Sequence, residues 1–382
     1  MQEEIKKSAW EDGMKGIECI ELRKFITEYK QKNEKNEFKP VAVGKYGIRT
    51  RESIYSKELA KDYSKNKIIF KNTLTVGMGS RQIDIGILTD DVIYSVSPAY
   101  HTYKISGINA DYLRYCLMCR NEDMFKRFVK RGSRQGKSID LKRWLEYEIP
   151  VYDVCNQEKI VLKLNKVTNV ISMRKQQLQK LDELIQARFV EMFGGLHNSK
   201  LYPYVSIETF TDVTSGGTPN RNTKEYWENG NIRWVKTTEL HNNFITDTEE
   251  YITRKGIDNS SAKVIPAHSI LVAMYGQGKT RGMTGYLLKE CTTNQACACI
   301  LPCKRVDQKY LWYYMILSYD KLRGMAKGGN QPNLNIGIIK RFQVLVPPIE
   351  LQSQFADFVN QVNKSKLVIK NLLQIYKHQI QM

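Results

Sequence analysis

Apolar residues recur at alternating intervals of four and three along residues 157–193, in the middle of the chain. Only Arg174 interrupts the series, whose members are Ile160, Leu164, Val167, Ile171, Leu178, Leu181, Ile185 and Phe189. This spacing predicts the seam of a coiled-coil helix, which at about 1.5 Å per residue runs roughly 50 Å. The positions outside the seam are charged, as at Lys163, Lys166, Lys175, Lys180 and Arg188. A seam of this length requires a partner helix.

The C-terminal residues offer a partner with the same spacing. Its apolar positions are Phe355, Phe358, Val362, Ile369, Leu372, Tyr376 and Ile380. Because a segment of about domain size separates the two helices, we expect them to pair antiparallel. The alternative is that each helix packs into its own neighbouring domain. If the helices do pair, replacing Leu178 and Leu181 with alanine should loosen the pair.

Short strands and turns occupy the first part of the chain. Alternating and apolar runs predict strands at residues 40–43, 67–70, 73–78, 83–88 and 92–96. A helix is predicted over residues 109–130, and another near the N-terminus over residues 20–31. A buried strand is predicted at residues 295–301, where the sequence reads Gln-Ala-Cys-Ala-Cys-Ile-Leu.

The second half of the chain repeats the first. Residues 264–281 resemble 67–81, residues 309–311 resemble 111–113, 328–331 resemble 132–135, 340–342 resemble 142–144, and the prolines at 347 and 348 resemble Pro150. Each half therefore predicts a mixed α/β globule, a basic loop, a strand that ends in proline and a long helix. The expected fold class is α+β, divided into a first domain at 1–150, a long helix at 151–198, a second domain at 199–346 and a long helix at 347–382.

The charge of the chain makes a polyanion the leading class of partner. Lys and Arg outnumber Asp and Glu by 59 to 40, the formal net charge is +19 and the isoelectric point is near 9.4. The densest basic stretch contains glycines and consists of Lys126, Arg127, Lys130, Arg131, Arg134, Lys137, Lys142 and Arg143. Such a stretch is often only a solvated surface, but a glycine-containing basic loop also suits contact with phosphates and bases.

The eight cysteines are expected to be reduced thiols in a cytoplasmic protein. The N-terminal residues lack the apolar core of a signal peptide, and no apolar run approaches the ~18 residues of a membrane span. Cys291, Cys297, Cys299 and Cys303 allow a zinc hypothesis, but their spacing is not that of paired Cys-x-x-Cys motifs. We therefore favour core thiols.

Two basic modules on a helix pair of fixed length would act as a ruler on DNA. Modules held roughly 50 Å apart would meet sites more than one helical turn apart, since a turn of duplex is about 34–36 Å. The target would then have two parts separated by an unread spacer. Because the two modules differ in sequence, the half-sites should differ too.

Several motifs together resemble the specificity (HsdS) subunits of Type I restriction-modification enzymes. They are Thr214-Ser215-Gly216-Gly217-Thr218-Pro219, the following Tyr226-Trp227 and residues 230–235 and 238–240, then residues 329–334, 347–352 and 181–193. The resemblance covers the chain from about Lys39. The first module departs from the pattern because it lacks a Gly-Gly-Thr-Pro opening.

The resemblance implies two target-recognition domains joined by antiparallel coiled-coil helices, in a subunit that binds double-stranded DNA and performs no chemistry. Two modification (methyltransferase) subunits would dock on the helices, and restriction (translocase/nuclease) subunits on those. S-adenosylmethionine, ATP and Mg²⁺ would be bound by these partners. The sequence agrees: it has no Gly-x-x-x-x-Gly-Lys-Ser/Thr loop and no Asn-Pro-Pro-aromatic methylation motif.

The candidates for base readout lie in the glycine loops. In the first module they are Ser80, Arg81, Gln82, Arg134 and Gln135, and in the second Gln277, Lys279, Thr280, Arg281, Asn330 and Gln331. Arginine suits guanine, and Asn or Gln suits adenine. Candidates for phosphate contact are Lys126, Lys130, Arg131, Lys137, Lys327 and Lys340. Trp227 and Trp234 are expected in the module core rather than as base-stacking residues.

Two other classes of protein fit part of the pattern. One is a coiled-coil scaffold whose basic charge serves only solvation, although a scaffold has no reason to duplicate basic loops. The other is a single-chain nuclease, although the sequence shows no clustered acidic site for a catalytic metal.

Overall fold

A computed structural model describes residues 17–45, 47–54, 62–132, 136–276, 278–326 and 332–381. At residues 131, 132 and 377–381 only the backbone is described. The chain forms two compact units. The first runs to Arg174 and takes in the chain from Leu372 onwards, and the second is Lys175–Asn371. None of the helices in the described ranges is both long enough and apolar enough to cross a membrane.

The first unit is built on a four-stranded antiparallel sheet of order β2-β9-β6-β7. Its strands are β1 Glu18–Glu21, β2 Ile26–Glu28, β3 Val41–Gly44, β4 Gly47–Thr50, β5 Lys67–Ile69, β6 Thr73–Met78, β7 Ile83–Leu88, β8 Tyr94–Val96, β9 His101–Ile105, β10 Val129–Gly132, β11 Gly136–Ile139 and β12 Glu148–Val151. Its helices are α1 Ala110–Cys119, α2 Asn121–Phe128, α3 Leu141–Leu145 and the first part of α4 Val154–Phe193. Leu74, Val76, Leu113 and Trp144 are fully buried between sheet and helices.

The second unit carries a five-stranded sheet of order β14-β21-β18-β19-β16 and a three-stranded sheet of order β17-β15-β20. Its strands are β13 Tyr204–Ser206, β14 Val213–Ser215, β15 Ile232–Val235, β16 Asn243–Ile245, β17 Glu250–Ile252, β18 Ile270–Ala273, β19 Thr284–Leu287, β20 Thr292–Thr293, β21 Cys297–Ile300 and β22 Gln343–Leu345. Besides the end of α4, its helices are α5 Arg254–Asp258, α6 Gln308–Leu317, α7 Tyr319–Gly324, α8 Ile336–Lys340 and most of α9 Ile349–Gln381.

The predicted duplication is confirmed by the sheets, because the order β2-β9-β6-β7 in one unit matches β14-β21-β18-β19 in the other. Two equivalences were wrong. Pro150 corresponds to Leu345 and not to Pro347, since the hydroxyls of Tyr112 and Tyr310 donate to the carbonyls of Pro150 and Leu345. The equivalence of Trp144 with Phe342 was wrong by three positions. The amide of Leu22 donates to the carbonyl of Tyr147, and the amide of Ile207 donates to that of Phe342. Phe342 therefore corresponds to Tyr147 and not to Trp144. The basic dipeptides had suggested an alignment that the backbone pairing does not follow.

The long helices pair antiparallel within the second unit, as predicted. The ring of Phe355 near the start of α9 lies 5.7 Å from that of Phe193, at the end of α4, and 5.3 Å from that of Phe189. Further along α9, Lys366 makes an ion pair with Asp182. Residues later in α9 thus contact residues earlier in α4, so the two helices run in opposite directions. Leu181 packs half-buried against the same core.

The limits of α4 follow from its end residues. The carboxylate of Asp153 accepts a hydrogen bond from the amide of Asn156 at 2.9 Å and caps the helix. The helix therefore begins at Val154, three residues after the boundary predicted at 151 and three residues before the predicted seam. At the other end Gly194 has φ +74°, a conformation that glycine adopts without strain and that stops the helix.

Two predicted helices are corrected by the structure. Residues 20–31 form β1, a 3-10 turn at Leu22–Lys24 and β2, because β1 pairs with the distant strand β12 and β2 with β9. The helix predicted at 109–130 breaks at Arg120 and ends at Phe128, after which β10 pairs with β11. The basic stretch beyond it is therefore an antiparallel hairpin. In each case pairing with a remote strand overrides the local preference.

Three of the four cysteines considered for a zinc site are core thiols. Cys291, Cys297 and Cys299 are buried against Val235 and Ile245, which is the packing that we favoured over a zinc site. Burial raises the pKa of the Cys297 thiol to about 12 and also raises the pKa values of Cys291 and Cys299. These thiols therefore carry almost no thiolate at neutral pH.

We expect native alkylation with iodoacetamide to separate these thiols from the exposed ones. Cys19 and Cys155 are exposed and should be modified within minutes at pH 8. Cys291, Cys297 and Cys299 should react at least about 100-fold more slowly, since both access and thiolate are lost. Peptide mass spectrometry before and after denaturation measures the difference. Equal labelling of all five in the native chain would show that this core is open.

Candidate nucleic-acid interface

In the first module, three of the predicted readout residues form the turn between β6 and β7. Ser80 and Arg81 are exposed and Gln82 is half-buried. The amide of Gly79 donates to the carbonyl of Gln82 at 3.1 Å and closes the turn. A Cβ at Gly79 would lie 2.8 Å from the backbone carbonyl oxygen of Gln82, so this position favours glycine. The turn thus presents a serine, an arginine and a glutamine on a rigid hairpin.

The β10–β11 hairpin brings Lys137 to this turn. Its ammonium lies 5.4 Å from the ring centroid of Phe125 and donates to the carbonyl of Ser80 at 2.5 Å. Residues separated by more than 50 positions therefore meet at one surface. Of the other candidates in this hairpin, Arg131 lies in β10 with only its backbone described, and Arg134 and Gln135 lie outside the described residues.

The remaining phosphate candidates of the first module are paired with acids. Lys126 lies 2.9 Å from Glu122 and Lys130 lies 2.7 Å from Asp140, and each lysine lowers the pKa of its partner carboxyl. Both lysines are more than 60% exposed, and water screens ion pairs of exposed side chains so that they contribute little to stability. A phosphate could therefore replace either carboxylate at small cost.

In the second module, side chains of α7 donate hydrogen bonds to the backbone of the equivalent loop at residues 276–282. Arg323 donates to the carbonyls of Arg281 and Gly278 at 2.7 and 2.8 Å, and the hydroxyl of Tyr319 donates to that of Lys279 at 2.7 Å. Gly276 and Gly278 have φ of +142° and +60°. The loop is therefore fixed through its backbone, while the Lys279 side chain is exposed.

Arg281 has a different environment from the other candidates. It is half-buried, and its guanidinium donates to the carbonyl of Pro332, which fastens the loop to the chain beyond residue 331. Thr280 is half-buried, and Lys340 is half-buried at the end of α8. Gln277, Lys327, Asn330 and Gln331 lie outside the described residues.

Arg323 and Tyr319 were missed from the sequence. Their spacing of four on a short helix places them on one face, but that pattern also fits an ordinary surface. Their role in supporting the loop becomes visible only in the structure, where they bind its backbone carbonyls.

The Thr214–Pro219 motif is a close-packing device. A Cβ at Gly216 would lie 1.9 Å from the carbonyl oxygen of Thr293, and one at Gly217 would lie 2.3 Å from the carbonyl carbon of Ser261. Trp234 is 2% exposed and donates through Nε1 to the carbonyl of Gly217 at 3.0 Å, which confirms its core position. The glycines therefore let this segment lie against β20.

Trp227 is half-buried rather than fully inside. The guanidinium of Arg221 lies 3.7 Å from the Trp227 ring centroid and 4.5 Å from that of Trp234. Arg221 also makes an ion pair with Glu250. The Trp227 ring is thus already in contact with a cation, which makes it a poor candidate for base stacking.

Comparison with known proteins gives the same picture in both halves. The sequence profile of the family described as Type I restriction modification DNA specificity domain matches residues 18–183 and again residues 201–375. The chain is 32% identical over 149 residues to the EcoR124I/EcoR124II specificity subunit of Escherichia coli, and 27% identical over 188 residues to the MjaIX specificity subunit of Methanocaldococcus jannaschii. These alignments take in 38% and 45% of this chain and 37% and 42% of the relatives, so the chain spans about two fifths of each relative's length.

Solved structures show the same fold. A chain described under complex assembly and conformational transition of the type I R-M system superposes with a TM-score of 0.55 at 16% identity, covering 96% of both chains. The Type-I restriction-modification S subunit from M. genitalium superposes with a TM-score of 0.53 at 12% identity, covering 96% of this chain and 94% of that one. Since the profile matches most of the chain, in two copies, the chain belongs to the family of Type I restriction modification DNA specificity domains.

Proposed function

We propose that this chain is a sequence-specific DNA-binding specificity subunit that reads an asymmetric site of two parts with a fixed spacer. One observation carries the proposal: at equivalent places in two similar modules, a rigid turn presents polar and basic side chains. In the first module this is the turn of Ser80, Arg81 and Gln82 with Lys137 beside it. In the second it is the loop that exposes Lys279.

The chemistry of the two turns differs, so the half-sites should differ. Arg81 is exposed and suits guanine O6 and N7, while the amide of Gln82 suits adenine. In the second module Gln277, Thr280, Asn330 and Gln331 remain the candidates for base edges. The engagement of Arg281 with Pro332 favours a positioning role for that arginine. Lys126, Lys130, Arg131, Lys137, Lys327 and Lys340 would contact phosphates. We move Lys279 from the readout candidates to this group, because its exposed ammonium is a point charge that suits a phosphate better than a base edge.

The catalytic work would belong to partners. Modification subunits would bring S-adenosylmethionine and methylate adenine, and restriction subunits would bring ATP and Mg²⁺. The curated relatives are named specificity subunits, which supports a non-catalytic role. The long helices also carry exposed apolar residues that suit docking, including Leu162 and Met173 on α4 and Leu367 and Val368 on α9.

Selection from a random duplex library by the chain with its modification subunit tests this function. Enrichment of one split motif with a constant gap is the expected result. Binding that is equal on all sequences and fades as salt rises would leave a basic scaffold. Cleavage of DNA by the lone chain with Mg²⁺ would instead support a nuclease.

Replacing Lys279 with alanine should weaken binding almost equally on all sequences. Loss of one phosphate contact reduces the slope of log affinity against log salt by about 1. Lys200→Ala removes the same charge from another exposed position of the unit and serves as the control. Titrations at four salt concentrations measure the slope. A change in base preference, with the slope unaltered, would assign Lys279 to readout.

A further inference from the structure

A buried glutamine ties the first module to its long helix. Gln157, in the first turn of α4, is 2% exposed. Its Oε1 accepts from the amide of Asn109 at 2.9 Å, and its Nε2 donates to the carbonyl of Tyr152 at 2.7 Å. Asn109 is itself the N-cap of α1, since its side chain accepts from the amide of Tyr112. One side chain thus joins the start of α1 to the start of α4.

The second module repeats this arrangement atom for atom. Gln352, in the first turn of α9, is 1% exposed. Its Oε1 accepts from the amide of Asp307 at 2.9 Å, and its Nε2 donates to the carbonyl of Pro347 at 2.7 Å. Asp307 caps α6 through the amide of Tyr310. The same contacts therefore survive in two halves whose sequences have otherwise diverged.

A second polar contact lies about two helical turns further along each long helix. The hydroxyl of Tyr115 on α1 donates to Oδ1 of Asn165 at 2.6 Å. The hydroxyl of Tyr313 on α6 donates to Oδ1 of Asn360 at 3.1 Å. We call Gln157, Tyr115 and Asn165 the first clamp, and Gln352, Tyr313 and Asn360 the second clamp.

Each clamp fixes an orientation because it holds at two points. The two contacts on a long helix are separated by about 12 Å, so the module helix cannot rotate about either one without breaking the other. Breaking the glutamine contacts would leave buried amide groups without partners, which is costly. The angle at which a module leaves its helix is thereby set by polar geometry rather than by apolar packing alone.

The first clamp has less apolar support than the second. Around it Tyr112, Tyr115 and Val161 form a small buried cluster, against which half-buried residues such as Ile160 and Leu164 pack. Around the second clamp, Phe189, Phe355 and Val359 belong to one large core that also contains Tyr310 and Tyr313. The first module therefore depends more on its hydrogen bonds for its orientation.

From these contacts we infer that the two clamps are positioning devices for spacer discrimination. The first clamp, which has less apolar support, determines how large the affinity penalty for a wrong spacer is. The inference rests on the proposed function, in which two modules read half-sites a fixed distance apart. A module that can rotate reaches its half-site when the spacer is a base pair too long or too short. A clamped module does not.

The test compares affinity for split sites whose spacer is natural, one base pair shorter or one base pair longer. Gln157→Ala and Tyr115→Phe should reduce the penalty for a wrong spacer, by about tenfold for the first variant, with much less change at the natural spacer. Gln352→Ala and Tyr313→Phe should reduce it by about threefold or less. Gln176→Ala, at an exposed position of α4, is the matched control and should change nothing.

Hydrogen exchange at the amide of Asn109 reports whether the first clamp is open, since that amide is held by Gln157. Faster exchange together with relaxed spacing supports the inference. Faster exchange with the wild-type spacing penalty overturns it, as does an equal loss of affinity at every spacing. Tyr115→Phe, which keeps the ring, decides the matter if Gln157→Ala does not fold. If the unmodified chain shows no split-site preference, the proposed function fails rather than the clamp.

Discussion

Replacing Gly216 with alanine is expected to lower the free energy of unfolding of the second unit by about 3 kcal/mol or more, which is the upper range for overpacking. The added Cβ would lie 1.9 Å from the carbonyl oxygen of Thr293. That oxygen accepts a hydrogen bond from the amide of Gly217 at 2.8 Å, so relief of the clash would break this bond. The carbonyl oxygen of Thr293 and the amide of Gly217 both belong to the backbone, so neither can rotate away as a side chain would. The second module should then bind its proposed half-site of the DNA more weakly.

Thermal unfolding and peptide-resolved hydrogen exchange measure this effect. Exchange should accelerate in residues 201–345 and change little in residues 17–150. Gly324→Ala is the matched control, because nothing lies within 4 Å of the Cβ that it would add. That variant should keep the wild-type stability or gain slightly. Equal stability of the two variants would mean that the segment at Gly216 can shift freely.

Replacing Phe189 with alanine should be among the most damaging changes in the long helices. Phe189 is 1% exposed, and its ring lies 4.8 Å from that of Phe193 and 5.3 Å from that of Phe355. Removal of a buried phenylalanine ring costs about 3–5 kcal/mol. Because Tyr310 and Tyr314 of the module share this core, the helix pair and the second module should loosen together.

Val190→Ala provides the comparison, since Val190 is the next residue on α4 and is 53% exposed. Its unfolding free energy should stay within about 0.5 kcal/mol of the wild-type value. Denaturant unfolding followed by hydrogen exchange in peptides of residues 201–345 reports on the second unit without the signal of Trp144 in the first. If Phe189→Ala cost no more than Val190→Ala, the helix ends would not be part of the module core.

The helix seam and the strands at residues 73–78 and 83–88 could be predicted because their patterns are local. Ile185 and Phe189 follow a helical period that only one face of one element can produce. β1 could not be predicted in this way. Its four residues form a strand because β12 lies beside them, and no window of sequence around Ile20 contains that partner.

The site was predictable to the level of its turns and no further. Glycines at 79, 276 and 278 indicate unusual backbone, and the basic residues beside them indicate an anion. The pairing of Lys137 with Ser80, and of Arg281 with Pro332, depends on loops brought together by the whole module. Gln157 is a further example. In the sequence it marks only the start of a helix, whereas in the structure it binds two distant backbone groups.

The support of residues 276–282 by Arg323 and Tyr319 has a consequence for changing the target sequence. All three hydrogen bonds go to main-chain carbonyls, so the shape of the loop does not depend on the identity of the exposed side chain at Lys279. The residues that hold the loop backbone are thus different from the residues whose side chains the loop exposes. A library that varies positions 279 and 280 while keeping Arg323, Tyr319 and the two loop glycines changes the proposed phosphate contact and the proposed base contact of the loop without changing the support of its backbone. The side chains that the second module presents to DNA can therefore be exchanged while the residues that support its loop are kept.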